Sequence, residues 1–397
     1  MKKKHPLLYL LIVTLFSIHS AFMEAKENKK KSVKDFLSTY RKNNPEKKLN
    51  FDLIKRSNLL STIIPNIGNL SENSLRKKGF YQTFILNEDD FISEAWYKKS
   101  NYKKPLLVFL AGFTSSAKTS SFINFADKCM TEDDSHCLLL ENSTSGEWIK
   151  RNSFMLGSGI EAGWNIYLSL KKFRESHKDT IEKIHVIGLS LGGNDAVFAA
   201  YIDSILKTNI IDGSVLAFSS PADRINGFIE LKEKDRINKI IIDRLLQPAY
   251  KSLAFLGFSK KRANWLENSR HGTNLVDHII IPSSQHYLNH RSLIFERKVL
   301  KQTIVQQLNE KETQVEALSQ LYKLSPHVIK ITKPILWVHS EDDPIVSFSL
   351  TYNCLLQIKN DNFMLLSRRY GGHLGYPFSY GKKWVHQLID SYTSYWK

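Results

Sequence analysis

Residues 80–86 and 91–97 each mix apolar and polar positions on either side of a polar turn. Beyond that point the chain shows short, wholly apolar runs separated by stretches in which apolar residues recur at helical spacing. Phe80 to Leu86 and Phe91 to Tyr97 read as two antiparallel strands joined by the turn Asn87, Glu88, Asp89, Asp90. Short apolar runs read as strands buried on both faces: Leu106 to Leu110, Leu138 to Leu140, Ile184 to Ile187, Val215 to Phe218, Ile335 to Val338 and Phe363 to Leu366. Helical segments lie between most of them, which predicts an α/β protein with a mostly parallel, doubly wound sheet.

Two regions break this rhythm. Pro221 to about Lys333 is helical in pattern (Ile240 to Leu246, Val305 to Leu321) and rich in aromatics, and it follows the strand ending at Ser219. Loops at the carboxyl ends of parallel strands build the sites of such sheets, so this segment reads as a helical cap; the other reading is a peripheral extension. Lys26 to about Asn50 is rich in Lys and Asn, with weak helical periodicity at Val33, Phe36 and Leu37, and reads as a polar leader that packs little. Before it, Met1 and Lys2 to Lys4 precede an apolar run from Leu7 to Phe16 that trails into Ser17 to Ala21, the layout of a secretory signal peptide. An uncleaved anchor spanning Leu7 to Met23 is the alternative. The expected organisation is a signal peptide over 1–25, a leader over 26–79, a core in two parts over 80–220 and 334–397, and a cap over 221–333.

Composition narrows the picture. With 42% hydrophobic and 24% charged residues the chain is ordinary globular material, which excludes wholesale disorder. The formal charge of +17 is spread in small clusters (Lys29 to Lys31, Lys103 to Lys104, Lys260 to Arg262) and reads as a solvated basic surface, with an anionic membrane surface as a possible partner. Nucleic acid is not expected as a partner, since no basic motif with interleaved aromatics is present. Cys129 and Cys137 flank a polar loop, and pairing after export or two buried free thiols both stay open; Cys354 lies in an apolar helical stretch. Asp133, Asp134 and His136 lack a second ligand cluster, so no metal is implied, and no cofactor.

The chemistry gathers at three strand ends. Gly188-Leu-Ser-Leu-Gly-Gly193 follows the run Ile184 to Ile187 and precedes the small-residue stretch Ala196 to Ala200, a strand, a sharp turn and a helix. A G-x-S-x-G elbow needs small residues two before and two after its centre, and Gly188 and Gly192 supply them. Ser190 is the candidate nucleophile, with the amide of Leu191 as an oxyanion donor at a helix start. The run Ile335 to Val338 leads into His339, Ser340, Glu341, Asp342, Asp343, Pro344; Asp343 is the first choice for an acid that orients an imidazole, then Asp342, which also suits a helix cap, then Glu341. Phe363 to Leu366 leads to Gly371-Gly-His-Leu-Gly-Tyr376, where His373 is the candidate base. Leu106 to Leu110 ends in Ala111, Gly112, Phe113, and the amide of Phe113 is the candidate second oxyanion donor.

The segment from Gly188 to Asn194, the segment from Gly371 to Tyr376 and the Asp342-Asp-Pro344 turn together resemble the YheT-like branch of the α/β-hydrolases, a group of predicted carboxylic-ester hydrolases. The likeness runs from about Phe80 to Trp396. The chain has Ala111-Gly112 where that branch has His-Gly, and no Arg-Gly-rich segment around Asn142 to Gly146. The resemblance implies an α/β-hydrolase fold and, with the residues above, an exported serine hydrolase acting on a small-molecule or lipid ester. A thioesterase, amidase or acyltransferase would use the same residues, and a non-catalytic basic binding protein on the same scaffold is the competing class.

Overall fold

The computed structural model describes residues 31–44, 70–153, 155–156, 159–224, 226–227 and 322–396. The expected signal peptide or anchor, and residues 228–321 of the expected cap, lie outside the described residues. Within them eight strands form one sheet: β1 (Tyr81–Leu86), β2 (Ile92–Lys98), β3 (Lys104–Leu110), β4 (His136–Leu140), β5 (Ile181–Leu189), β6 (Val215–Phe218), β7 (Ile335–Ser340) and β8 (Phe363–Arg368), in the order β1-β2-β4-β3-β5-β6-β7-β8. The two outermost pairings, β1 with β2 and β2 with β4, are antiparallel, and every other pairing is parallel. This is the α/β-hydrolase fold.

The apolar runs end up where their lack of alternation places them. In β3, Leu106, Val108 and Leu110 join the core on one face of the sheet while Leu107 and Phe109 join the core on the other. The first core packs against α5 (Gly159–Ser176) and α6 (Leu191–Leu206). The second packs against α1 (Val33–Asn43), α3 (Ser121–Thr131) and α9 (Lys382–Tyr395). The other α-helices among the described residues are α2 (Glu72–Lys77), α4 (Gly146–Asn152), α7 (Ser325–Val328) and α8 (Phe348–Leu356), and a π-helical turn, Pro377–Gly381, precedes α9. The register pairs Leu110 with Gly188, Leu189 with Phe218, Phe218 with Val338 and Ser340 with Arg368, so the carboxyl ends of five parallel strands share one edge.

The leader differs from expectation. Ser32 caps α1 by accepting from the Asp35 amide at 3.1 Å, and Val33, Phe36, Leu37 and Tyr40 are all buried. Phe36 lies edge-on to Tyr392 of α9 with ring centroids 4.9 Å apart. The reason is Tyr40: with it the apolar positions fall at i, i+3, i+4 and i+7, one complete helical face hidden among lysines and asparagines.

Cys129 of α3 and Cys137 of β4 form a disulfide, and Cys354 is buried in α8. The His136 ring belongs to the loop architecture. Its Nδ1 accepts from the Ser100 amide at 2.9 Å, and its Nε2 sits 2.9 Å from the Thr180 carbonyl. Among the described residues no helix is long and apolar enough to cross a membrane.

Replacing Phe36 with Ala is expected to lower the unfolding free energy by about 3 kcal/mol, the usual cost of emptying a buried aromatic site. Urea titration of both proteins checks this; a leader that packs little would give a difference near zero.

Candidate active site

Ser190 stands between β5 and α6 with φ 54° and ψ −123°, backbone that a side-chain-bearing residue rarely adopts. Such strain costs on the order of 1–3 kcal/mol and persists only where the surroundings impose it. Here the Ser190 amide donates to the Phe218 carbonyl at 2.8 Å, and the Ser190 carbonyl accepts from Gly193 N at 3.0 Å and Ser220 Oγ at 2.6 Å. Neither flanking glycine can carry a side chain: a Cβ on Gly188 would overlap the backbone of Gly192 and Gly193, and one on Gly192 would overlap the Ala111 carbonyl. The turn therefore brings the ends of β3, β5 and β6 into contact around one hydroxyl.

His373 reaches that hydroxyl from the loop after β8. Its Nε2 lies 2.8 Å from Ser190 Oγ, and its Nδ1 lies 3.0 and 3.2 Å from the two carboxylate oxygens of Asp343. A neutral ring protonated on Nδ1 satisfies both contacts, donating to Asp343 and accepting from Ser190. Asp343 is buried. Burial alone would push its carboxyl up, but the charge and hydrogen bond of His373, with His339 and the Val346 amide, outweigh it and hold the carboxyl below its usual range. Asp343 Oδ1 also accepts from the amides of Ile345 and Val346, both at 2.9 Å, so the carboxylate is oriented from its own turn.

The neighbouring acids do other work. Asp342 accepts from Gly372 N at 2.8 Å, and Ser340 Oγ donates to the Gly372 carbonyl at 2.5 Å, so the two peptides that flank Gly372, just before His373, are each held. Asp342 is thus no helix cap: Ser347 caps α8, accepting from Leu350 N. Glu341 is exposed. His339, unremarked in the sequence, is fully buried with Nε2 3.1 Å from the Val346 carbonyl; burial pushes its pKa down, and the neutral ring steadies the turn that carries Asp343.

The loop after β3 lies against the serine: a Cβ on Gly112 would sit 3.1 Å from Ser190 Cβ and 3.7 Å from its Oγ. Phe113 follows directly, half-buried against the core, and Leu191 opens α6 directly after Ser190. Behind them lies a buried polar cluster that sequence reading missed, made of Asn142, Asp195 and Arg224. Only the juxtaposition of helix α6 with the segments after β4 and β6 makes it visible, and no local motif marks it.

Next to Asn142, at the end of β4, Glu141 is buried with Arg151 beside it. Its carboxylate accepts from the Glu94 amide at 2.5 Å and from Ser145 Oγ at 3.0 Å. Among the described residues no group of three His, Cys, Asp or Glu is placed to hold a metal ion.

No protein-family model matches the chain, and no curated protein matches it. Among solved structures it is similar to the acylaminoacyl peptidase of Pyrococcus horikoshii, at 13% identity over 81% of this chain and 43% of that one, with a TM-score of 0.46. It is also similar to an esterase of Pyrococcus furiosus, at 13% identity over 83% of this chain and 95% of that one, with a TM-score of 0.49. The α/β hydrolase GrgF from Penicillium sp. sh18 is similar at 17% identity over 80% of this chain and 99% of that one, with a TM-score of 0.47. The chain spans less than half the length of the peptidase, and nearly all of the other two.

Burial pushes Glu141 up to about 7 from the ordinary 4.5, against the pull of Arg151. Between those values the folded protein holds the proton more tightly than the unfolded chain, so this group's contribution is complete below pH 4.5 and is lost as pH rises through 7. The displacement corresponds to about 3 kcal/mol. Urea unfolding of the wild type and Glu141→Gln between pH 4.5 and 8 is expected to show the wild type losing that much relative to the variant; parallel profiles would refute it.

Proposed function

We propose that this protein is a serine hydrolase that cleaves carboxylic esters through an acyl-enzyme on Ser190. The observation that carries the reading is the line of contacts from Ser190 Oγ to His373 Nε2 at 2.8 Å and from His373 Nδ1 to Asp343 at 3.0 Å, on a serine held in strained backbone. A binding role requires none of these three in register, whereas nucleophilic catalysis requires all of them.

In the proposed reaction His373 Nε2 takes the hydroxyl proton as Ser190 Oγ forms a bond to the ester carbonyl carbon. The carbonyl electron pair moves onto oxygen, where the amides of Leu191 and Phe113 receive it; one such donor is typically worth about 3 kcal/mol. Asp343, ionised across the neutral range, stabilises the imidazolium. Collapse breaks the bond to the alcohol, which leaves with the proton from His373. A water then repeats the sequence on the acyl-enzyme, its proton passing to His373 and back to Ser190, and the carboxylic acid departs.

Export belongs to the same proposal. It is supported by the basic and apolar order of the first 25 residues and by the Cys129–Cys137 disulfide, a bond that persists in oxidising compartments. The basic surface fits substrates presented at an anionic membrane.

A fluorophosphonate probe is expected to label the purified protein but not Ser190→Ala, and p-nitrophenyl esters are expected to be turned over by the wild type alone. Asp343→Asn is expected to retain the fold and lose on the order of 10³ to 10⁴ in kcat. A folded wild type that neither labels nor turns over any ester would favour the binding protein.

A further inference from the structure

The second turn of α6 carries an ion pair sealed from water: Asp195 Oδ1 meets Arg224 Nη2, with both side chains at 1% exposure or less. Arg224 Nε also donates to Asn194 Oδ1 at 2.8 Å, and Asn194 Nδ2 donates to the Pro221 carbonyl at 2.7 Å, which ties the segment after β6 to the helix. The other carboxylate oxygen of Asp195 accepts from Asn142 Nδ2 at 2.9 Å, and that same nitrogen reaches the Ala111 carbonyl at 3.1 Å. Asn142 Oδ1 accepts from Thr144 Oγ1 at 2.6 Å, and Thr144 Oγ1 in turn accepts from Thr114 N at 2.8 Å. One buried carboxylate thus joins the elbow helix to the loops after β3, β4 and β6.

A buried ion pair is a poor device for stability alone, because desolvating two charges offsets most of their attraction and an apolar pair would hold the helix as well. What this one controls is orientation. The Ala111 carbonyl is held by Asn142, the Gly112 carbonyl accepts from Ser115 N at 3.1 Å, and the Thr114 amide is held by Thr144. A trans peptide points its N–H opposite its carbonyl, so Ser115, by holding the Gly112 carbonyl, sets the direction of the Phe113 N–H, and Asn142, by holding the Ala111 carbonyl, fixes the peptide that precedes it.

We propose that Asn142, Asp195 and Arg224 are positioning residues for the oxyanion donor at Phe113, the ion pair holding Asn142 and Asn142 holding the Ala111–Phe113 backbone against Ser190. The inference rests on the reading of Ser190 as the nucleophile. It concerns stabilisation of the tetrahedral state and not the binding of the ester.

The test is Asn142→Ala, assayed on a p-nitrophenyl ester with active sites counted by the fluorophosphonate probe. Affinity for an arylboronic acid, which forms a tetrahedral adduct on an active serine, is measured alongside. The expected result is a 10- to 100-fold fall in kcat per titrated site, KM within twofold of wild type, and weakening of boronate binding by the same factor as kcat/KM. Thermal unfolding reports stability separately. A variant with lower melting temperature whose titrated sites keep wild-type kcat and boronate affinity would reduce the cluster to a structural role and overturn the proposal. Should Asn142→Ala fail to fold, Thr144→Val removes one hydroxyl from the same chain of bonds, and the same readouts decide. A wild type that does not label at all would overturn the serine hydrolase reading itself; a labelled wild type with an unchanged variant overturns only this inference.

Discussion

The backbone of Ser190 is the constraint on which the rest of the molecule depends. A residue with a side chain is held at positive φ where a strand becomes a helix, and that conformation survives only if its neighbours leave it no alternative. The Phe218 carbonyl, Gly193 N and Ser220 Oγ occupy its polar groups, which requires β6 beside β5, and the Ala111 carbonyl packs on Gly192, which requires β3 on the other side. The central order of the sheet, β3-β5-β6, is therefore a condition of the elbow as well as a product of hydrophobic burial.

The helix that follows the elbow shows how far this reaches. From Leu191 to Ser204 every residue of α6 is buried, so its polar side chains have to find partners inside the protein. Asp195 does so in the second turn through Arg224 and Asn142. Asp203 does so in the last, accepting from Thr208 Oγ1 and the amides of Ile210 and Ile211 and pairing with Lys333. Small residues let the same helix approach its neighbours: a Cβ on Gly163 of α5 would collide with the Phe198 backbone. A central helix built this way is tied to its surroundings by buried polar contacts near both ends.

Local pattern made the strands readable. Each apolar run named from sequence lies within an observed strand, because the runs are too short for helices and are bounded by polar or turn residues, and the strand ends extend by a few residues where Lys104, Glu182 or Arg368 continue the ladder at its rim. Ser190, Asp343 and His373 were legible as candidates because each sits in a turn of distinctive composition directly after such a run. The face of α1 was misjudged because Tyr40 was not counted with Val33, Phe36 and Leu37, and burial of an aromatic at i+7 is what turns a weak stripe into a packed one. Asp342 looked like a cap, yet its partner Gly372 lies thirty residues on. Asn142, Asp195 and Arg224 carry no local signal, since each is an ordinary polar residue until the sheet brings α6 against the segments after β4 and β6.

The division of labour at the sheet edge follows from the nature of the forces. Burial of apolar surface is non-directional, so it can assemble strand ends but cannot decide which way a peptide faces. Hydrogen bonds can, because they weaken steeply away from linearity. At this edge the peptide groups nearest the serine are each committed to a named partner: Ala111 to Asn142, Gly112 to Ser115, Thr114 to Thr144, and Gly372 to Asp342 and Ser340. Buried partners of this kind carry a desolvation penalty that an apolar contact would avoid, and they are concentrated where a nucleophile, a base and an oxyanion donor would have to share one geometry. That concentration is what separates this edge from the hydrophobic faces of the same sheet, and it is the physical ground for reading the edge as a site.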